Sequence, residues 1–150
     1  MPDGGAMYWI LDDLAVSTAM VLITVALHGI ALSWLGRLLK VEYIEEARHH
    51  VGPLSLRALA FTQAVVLALF ALHGLEIWLY AFVYGWIGAI GDFSSALYFS
   101  TISYAAIGYT DVAIDPRWRL VGAIEGINGL LLLGWSTAFF VGFLTRLGRR

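Results

Sequence analysis

Ser100 to Asp111 reads Ser-Thr-Ile-Ser-Tyr-Ala-Ala-Ile-Gly-Tyr-Thr-Asp, and no other stretch sets hydroxyls, a glycine, aromatics and an acid so densely between apolar flanks. Asp92, ahead of Phe93-Ser-Ser-Ala-Leu-Tyr-Phe, predicts a helix N-cap and a short apolar helix of about three turns. Gly108 then breaks the helix and Asp111 closes the stretch. A short helix that enters apolar surroundings and turns back as extended chain is tolerated in a membrane only where protein buries it or water lines it. Four ionisable residues, His28, His73, Glu76 and Glu125, also fall within or beside apolar runs, where such groups are costly and mark function by default. At about 1.5 Å per helical residue, His28 lies about 13 Å from Arg37 and His73 about 24 Å from Arg57. Counting from those charges as a common end places the two histidines at different depths. His73 and Glu76 share a helix face at i,i+3, at about the level of Glu125. Three readings stay open for this group: a hydrogen-bonded cluster that ties the short helix to its neighbours, a proton or ion site, and plain exposure to lipid or water. A second set, Glu45, Glu46, His49 and His50, forms two Glu-to-His pairs at i,i+4. That spacing could hold a divalent metal, and it equally suits the solvated face of a surface helix.

The elements that must position these residues follow from composition. In a chain of 150 residues, 60% are hydrophobic and 13% charged, too apolar for a soluble domain of this size. Residues 14–36, 58–75 and 126–145 carry no Asp, Glu, Lys or Arg, and each run approaches the roughly 20 residues that cross a hydrocarbon core. The expected division is an N-terminal segment 1–13, a first span 14–39, an amphipathic surface linker 40–53, a second span 54–90, the short helix and turn 92–111, and a third span 119–146. The chain has no cysteine, which excludes a disulfide framework and a thiolate metal site. A net charge of −2 without a basic patch gives no sign of a nucleic-acid partner. The chain shows no nucleophile–base–acid arrangement, no phosphate-binding glycine loop and no span with arginine at every third residue, so neither an enzyme nor a voltage sensor is expected.

Ile107-Gly108-Tyr109-Thr110-Asp111 resembles the Val-Gly-Tyr-Gly-Asp filter of potassium channels, and Ala96-Leu97-Tyr98-Phe99-Ser100 stands where that family has its pore helix. The resemblance covers roughly residues 92–146. It implies an all-α membrane protein with three transmembrane helices, a re-entrant pore helix and a selectivity-filter loop, assembled with copies of itself as a tetrameric pore in the lipid bilayer. Ala106, Ile107, Gly108, Tyr109, Thr110 and Asp111 would then form the ion-binding filter, holding K⁺ or another monovalent cation and no further cofactor. Gly129 would be the hinge of the inner helix or a close-packing residue, and Leu130, Leu133 and Thr137 would line the pore. His73, Glu76 and Glu125 would brace the filter or sense protons.

The sequence departs from the family at two filter positions. Ala106 replaces a threonine whose hydroxyl helps to coordinate the innermost ion, and Thr110 replaces the second glycine. The implied function is passive movement of a monovalent cation, K⁺ foremost. The alternative is a weakly selective or nonconducting pore-loop protein with a structural or sensory role.

The resemblance places the filter outside the cell. The positive-inside rule agrees: Arg37, Lys40, Arg48, Arg57, Arg146, Arg149 and Arg150 fall on one side, and Arg117 and Arg119 on the other. The expected location is the plasma membrane of a prokaryote, with the N-terminus outside and the C-terminus in the cytoplasm.

Overall fold

The computed structural model describes residues 4–49, 56–108, 112 and 114–147. Its helices are α1 (Gly4–His49), α2 (Leu56–Trp86), α3 (Phe93–Tyr104) and α4 (Arg119–Leu147), with a 3₁₀ turn at Pro116–Trp118 leading into α4. Among the described residues there is no strand. Trp9–Leu39, Leu59–Trp86 and Pro116–Thr145 are long and apolar enough to cross a membrane, since each exceeds the roughly 20 helical residues a hydrocarbon core requires. The chain is an all-α integral membrane protein with three spans and a short helix between the second and the third.

Local chemistry sets the ends of the short helix. Asp92 is extended (φ −135°, ψ 149°) and accepts the Ser95 amide at 2.9 Å, satisfying one of the free N–H groups of the first turn. The Ser95 amide also holds the Asp92 carboxyl below its ordinary range. At the end of α2, the Ala89 amide donates to the Tyr84 carbonyl (2.9 Å) and the Gly88 amide to that of Gly85 (3.3 Å), with Gly88 at φ +69°. This is a Schellman termination with glycine at its left-handed position. The second span therefore stops as a helix at Trp86, and residues 87–90, expected within it, form the turn. The linker differs as well. Instead of a separate surface helix, α1 runs unbroken through Lys40 to His49, because no proline or glycine interrupts it between Gly36 and Gly52.

The short helix α3 packs between α2 and α4, while α1 lies chiefly along α4. One apolar cluster, with Met20, Tyr80, Tyr84, Phe99, Trp118 and Val121, fills the Trp118 end of the bundle. A second, with Leu32, Leu39, Val65, Leu69 and Leu72, fills the Leu39 end. Between them in the register of each long helix lies a buried polar belt of Thr24, His28, Glu76, Ser100, Glu125, Asn128 and Ser136. Leu22, Ile30, Leu67, Phe70 and Leu131 point outward, as suits helices whose solvent is lipid.

Helices in lipid gain close contact where small residues let backbones approach. Gly129 is the extreme case, since a Cβ there would collide with the Tyr104 carbonyl oxygen at the end of α3. The glycine brings α4 against the end of the short helix whether or not it also bends. Gly134 faces open space, where an added Cβ would meet nothing within 4 Å. Gly129→Ala is expected to destabilise the protein by about 1–3 kcal/mol through overpacking, and Gly134→Ala to leave it unchanged or slightly more stable. Melting of the two variants in one detergent checks this; equal melting temperatures would refute the contact.

Candidate functional site

The polar belt joins all four helices around two carboxylates. Glu76 of α2 is fully buried. His28 Nδ1 of α1 lies 2.9 Å from its Oε1, and the Tyr104 hydroxyl of α3 donates to its Oε2. His73 Nδ1 is 2.9 Å from the Tyr104 oxygen and 3.3 Å from Glu76 Oε2. Ser136 of α4 sits 3.2 Å from His28 Nε2. The donors fit one pattern: each histidine carries its proton on Nδ1, His28 donates to Glu76, His73 donates to the Tyr104 oxygen, and Ser136 donates to the free Nε2 of His28.

Glu125 of α4 makes the second knot and is also fully buried. The Tyr84 hydroxyl of α2 reaches its Oε2 at 2.6 Å. Ser100 Oγ of α3 lies 2.5 Å from its Oε1 and 2.9 Å from the Ile77 carbonyl oxygen. Asn128, one turn further along α4, donates to Thr24 Oγ1 (2.8 Å) and the Tyr80 hydroxyl (3.2 Å). Thus α3 is held from both sides, through Tyr104 to Glu76 and through Ser100 to Glu125.

The structure overturns the expected separation of the histidines: the rings of His28 and His73 stand 5.3 Å apart, centroid to centroid. Arg37 and Arg57 do not mark one level. From the paired histidines, Arg37 lies about 13 Å along its helix and Arg57 about 24 Å. The belt also contains residues that sequence reasoning did not join to the buried carboxylates, namely Tyr84, Ser100, Tyr104, Thr24, Asn128 and Ser136. For Thr24, Asn128 and Ser136 the signal was available in the spacing of Ser17, Thr24 and His28 on α1 and of Glu125, Asn128 and Ser136 on α4, each set on one helical face.

Beyond α3 the chain turns sharply. The Ile107 amide donates to the Ile102 carbonyl and the Ala106 amide to that of Ser103, both at 2.9 Å. This is the same termination that ends α2, but its left-handed position holds Ala106 at φ +55° in place of glycine. Gly108 is left-handed too, at φ +73°, and Ala106, Ile107 and Gly108 are all exposed on the single chain. Tyr109, Thr110 and Asp111 lie outside the described residues. On α4, Leu130 and Thr137 are exposed and Leu133 half-buried, and the Thr137 hydroxyl donates to the Leu133 carbonyl at 2.8 Å. Glu45, Glu46 and His49 fall on the last turns of α1; His50 lies outside the described residues.

Three apolar spans and a short helix, capped by Asp92, between the second and third define an all-α membrane protein. A family model described as "Ion channel" matches residues 72–146, half of the sequence, and the chain belongs to that ion-channel family. No curated protein and no solved structure matches it.

Two outcomes follow from this geometry. Glu125→Leu strips the partner from buried Tyr84 and Ser100 hydroxyls, at about 1–3 kcal/mol for each group left unsatisfied, while Glu125→Gln keeps an acceptor oxygen. Melting in detergent should fall far more for leucine than for glutamine, and equal losses would mean that the contacts carry little energy. Ala106→Gly should raise stability by about 1 kcal/mol, the cost of a Cβ at a left-handed position. A drop in melting temperature would place the strain elsewhere.

Proposed function

We propose that the chain is one subunit of a fourfold cation channel that passes K⁺ passively through a filter formed by residues 106–111 of each copy. The carrying observation is the segment at the end of α3. Ala106 and Gly108 have positive φ on either side of Ile107, so the chain leaves α3 in a tight turn at the end of the helix. Backbone carbonyls presented by such a turn from each copy would replace the water of a dehydrated cation. The C-terminal end of α3, with no basic residue in its last turn, directs the negative end of the helix dipole toward the same region. One chain offers a single strand of carbonyls, and four strands around an axis are needed to surround an ion. Leu130, Leu133 and Thr137 line the passage beyond the filter. The N-terminus and filter face outward, and the C-terminal arginines face the cytoplasm.

Selectivity is weaker than in a Thr-Val-Gly-Tyr-Gly filter. Ala106 brings no side-chain oxygen to the innermost site, and its left-handed conformation disfavours the β-branched threonine that would restore one. Thr110 replaces the second glycine of that filter, and a β-branched residue has less backbone freedom than glycine. Purified protein reconstituted in liposomes is expected to conduct K⁺ and, to a lesser but measurable degree, Na⁺, with reversal potentials under bi-ionic conditions giving the ratio. Its mass in mild detergent should equal four chains once bound detergent is subtracted. Absence of any cation flux from a verified tetramer would refute the channel reading and leave a structural or sensory subunit. Strict K⁺ selectivity would show that the carbonyls suffice without the missing hydroxyl.

A further inference from the structure

His28, His73 and Glu76 each place a ligand atom within 4.8 Å of the other two. We propose that these three side chains form a binding site for a divalent transition-metal ion of the Zn²⁺ class, buried among the transmembrane helices. One of its ligands, His28, comes from α1, outside the region that matches the ion-channel family.

Two imidazoles and one carboxylate are the donor set of a three-ligand zinc centre with an open fourth position. Imidazole suits Zn²⁺ and its neighbours in the transition series, whereas Mg²⁺ and Ca²⁺ take oxygen ligands. The geometry is close to what such an ion needs. Metal–ligand bonds of about 2.0–2.1 Å in a tetrahedron set the ligand atoms about 3.4 Å apart. His28 Nδ1 stands 2.9 Å from Glu76 Oε1 and His73 Nδ1 3.3 Å from Oε2, and the ligand atoms all lie within 4.8 Å of one another, so no pair needs to close by more than about 1.4 Å to reach that separation.

Binding requires no net loss of protons from the imidazoles. Each neutral ring shifts its proton from Nδ1 to Nε2, presents the freed Nδ1 to the metal and stays neutral. For His28 the new Nε2–H points at Ser136 Oγ, 3.2 Å away, the kind of outer partner that fixes the tautomer of a ligating histidine. Tyr104 donates to Glu76 Oε2 and orients the carboxylate in the same manner while Oε1 takes the metal. The side chains of His28 and Glu76 are fully buried, and that of His73 keeps 12% exposure, so His73 is the one ligand that reaches the surface of the single chain. An occupied site would clamp α1 to α2 directly behind the last residue of the short helix.

The test uses full-length protein in detergent, stripped with chelator and titrated with Co²⁺, whose d–d absorption is intense in a tetrahedral site. The proposal expects saturation at one ion per chain, displacement by Zn²⁺, and loss of the absorption in His73→Gln. Ser136→Ala should weaken binding by about 10–100-fold, as removal of an outer partner of a ligand does. Elution volume and helical circular dichroism, recorded before titration, identify any variant that has failed to fold. Should His73→Gln fail, Ser136→Ala carries the test alone, and unchanged affinity in that folded variant overturns the proposal. Absence of tetrahedral absorption in the native chain also overturns it and leaves a hydrogen-bonded cluster. So does absorption that survives His73→Gln and disappears with His49→Ala and His50→Ala, which would place the metal at the end of α1. Each readout is metal binding alone, so failure of the channel reading would leave it untouched.

Discussion

Helices that already sit in lipid gain little by burying apolar side chains against one another, because lipid tails are as apolar as leucine. Their relative register therefore needs groups that lipid cannot satisfy, and here two carboxylates supply the need. Glu76 and Glu125 are both fully buried, where an unpaired charge or polar atom is expensive. Each is surrounded by donors from other helices. Glu76 of α2 collects His28 of α1 and Tyr104 of α3, and Glu125 of α4 collects Tyr84 of α2 and Ser100 of α3. A sliding or rotating helix would strand several of these groups together. The penalty for leaving them unmade, more than the strength of any single bond, holds the register.

That register matters most for the chain just past α3. A helix of twelve residues is marginal alone and ends at backbone groups that lipid would leave unsatisfied. Its last residue meets two constraints together: the Tyr104 hydroxyl is bound to Glu76, and the Tyr104 carbonyl lies against α4 where Gly129 makes room. With side chain and backbone both anchored, the turn through Ala106 can hold a left-handed residue that a looser setting would relax.

Much of this was legible in the sequence, for identifiable reasons. The spans show because hydrocarbon thickness demands long uncharged runs, and the start of α3 shows because Asp92 is a strong cap ahead of an apolar segment. Helix ends were harder. Gly88 ends α2 a few residues before the apolar composition does, and Lys40 to His49 continues α1 because nothing there breaks a helix. The left-handed Ala106 could not be read from its residue type. The cap geometry of α3 puts it at the position where α2 has Gly88, and alanine carries no sign of that strain.

The misplacement of His28 relative to His73 has the most general cause. Basic residues do not mark a single level, because a long cationic side chain can reach water from several ångströms away from its backbone. Buried polar groups do not have that freedom. A glutamate in the middle of a bundle must meet donors at its own level, so His28, Glu76, Tyr104 and Ser136 locate one plane through four helices more sharply than Arg37 and Arg57 locate a surface. Matching the polar positions of each span to one another, with every acceptor required to find a donor, would have put the two histidines side by side and exposed the convergence of two imidazoles on one carboxylate.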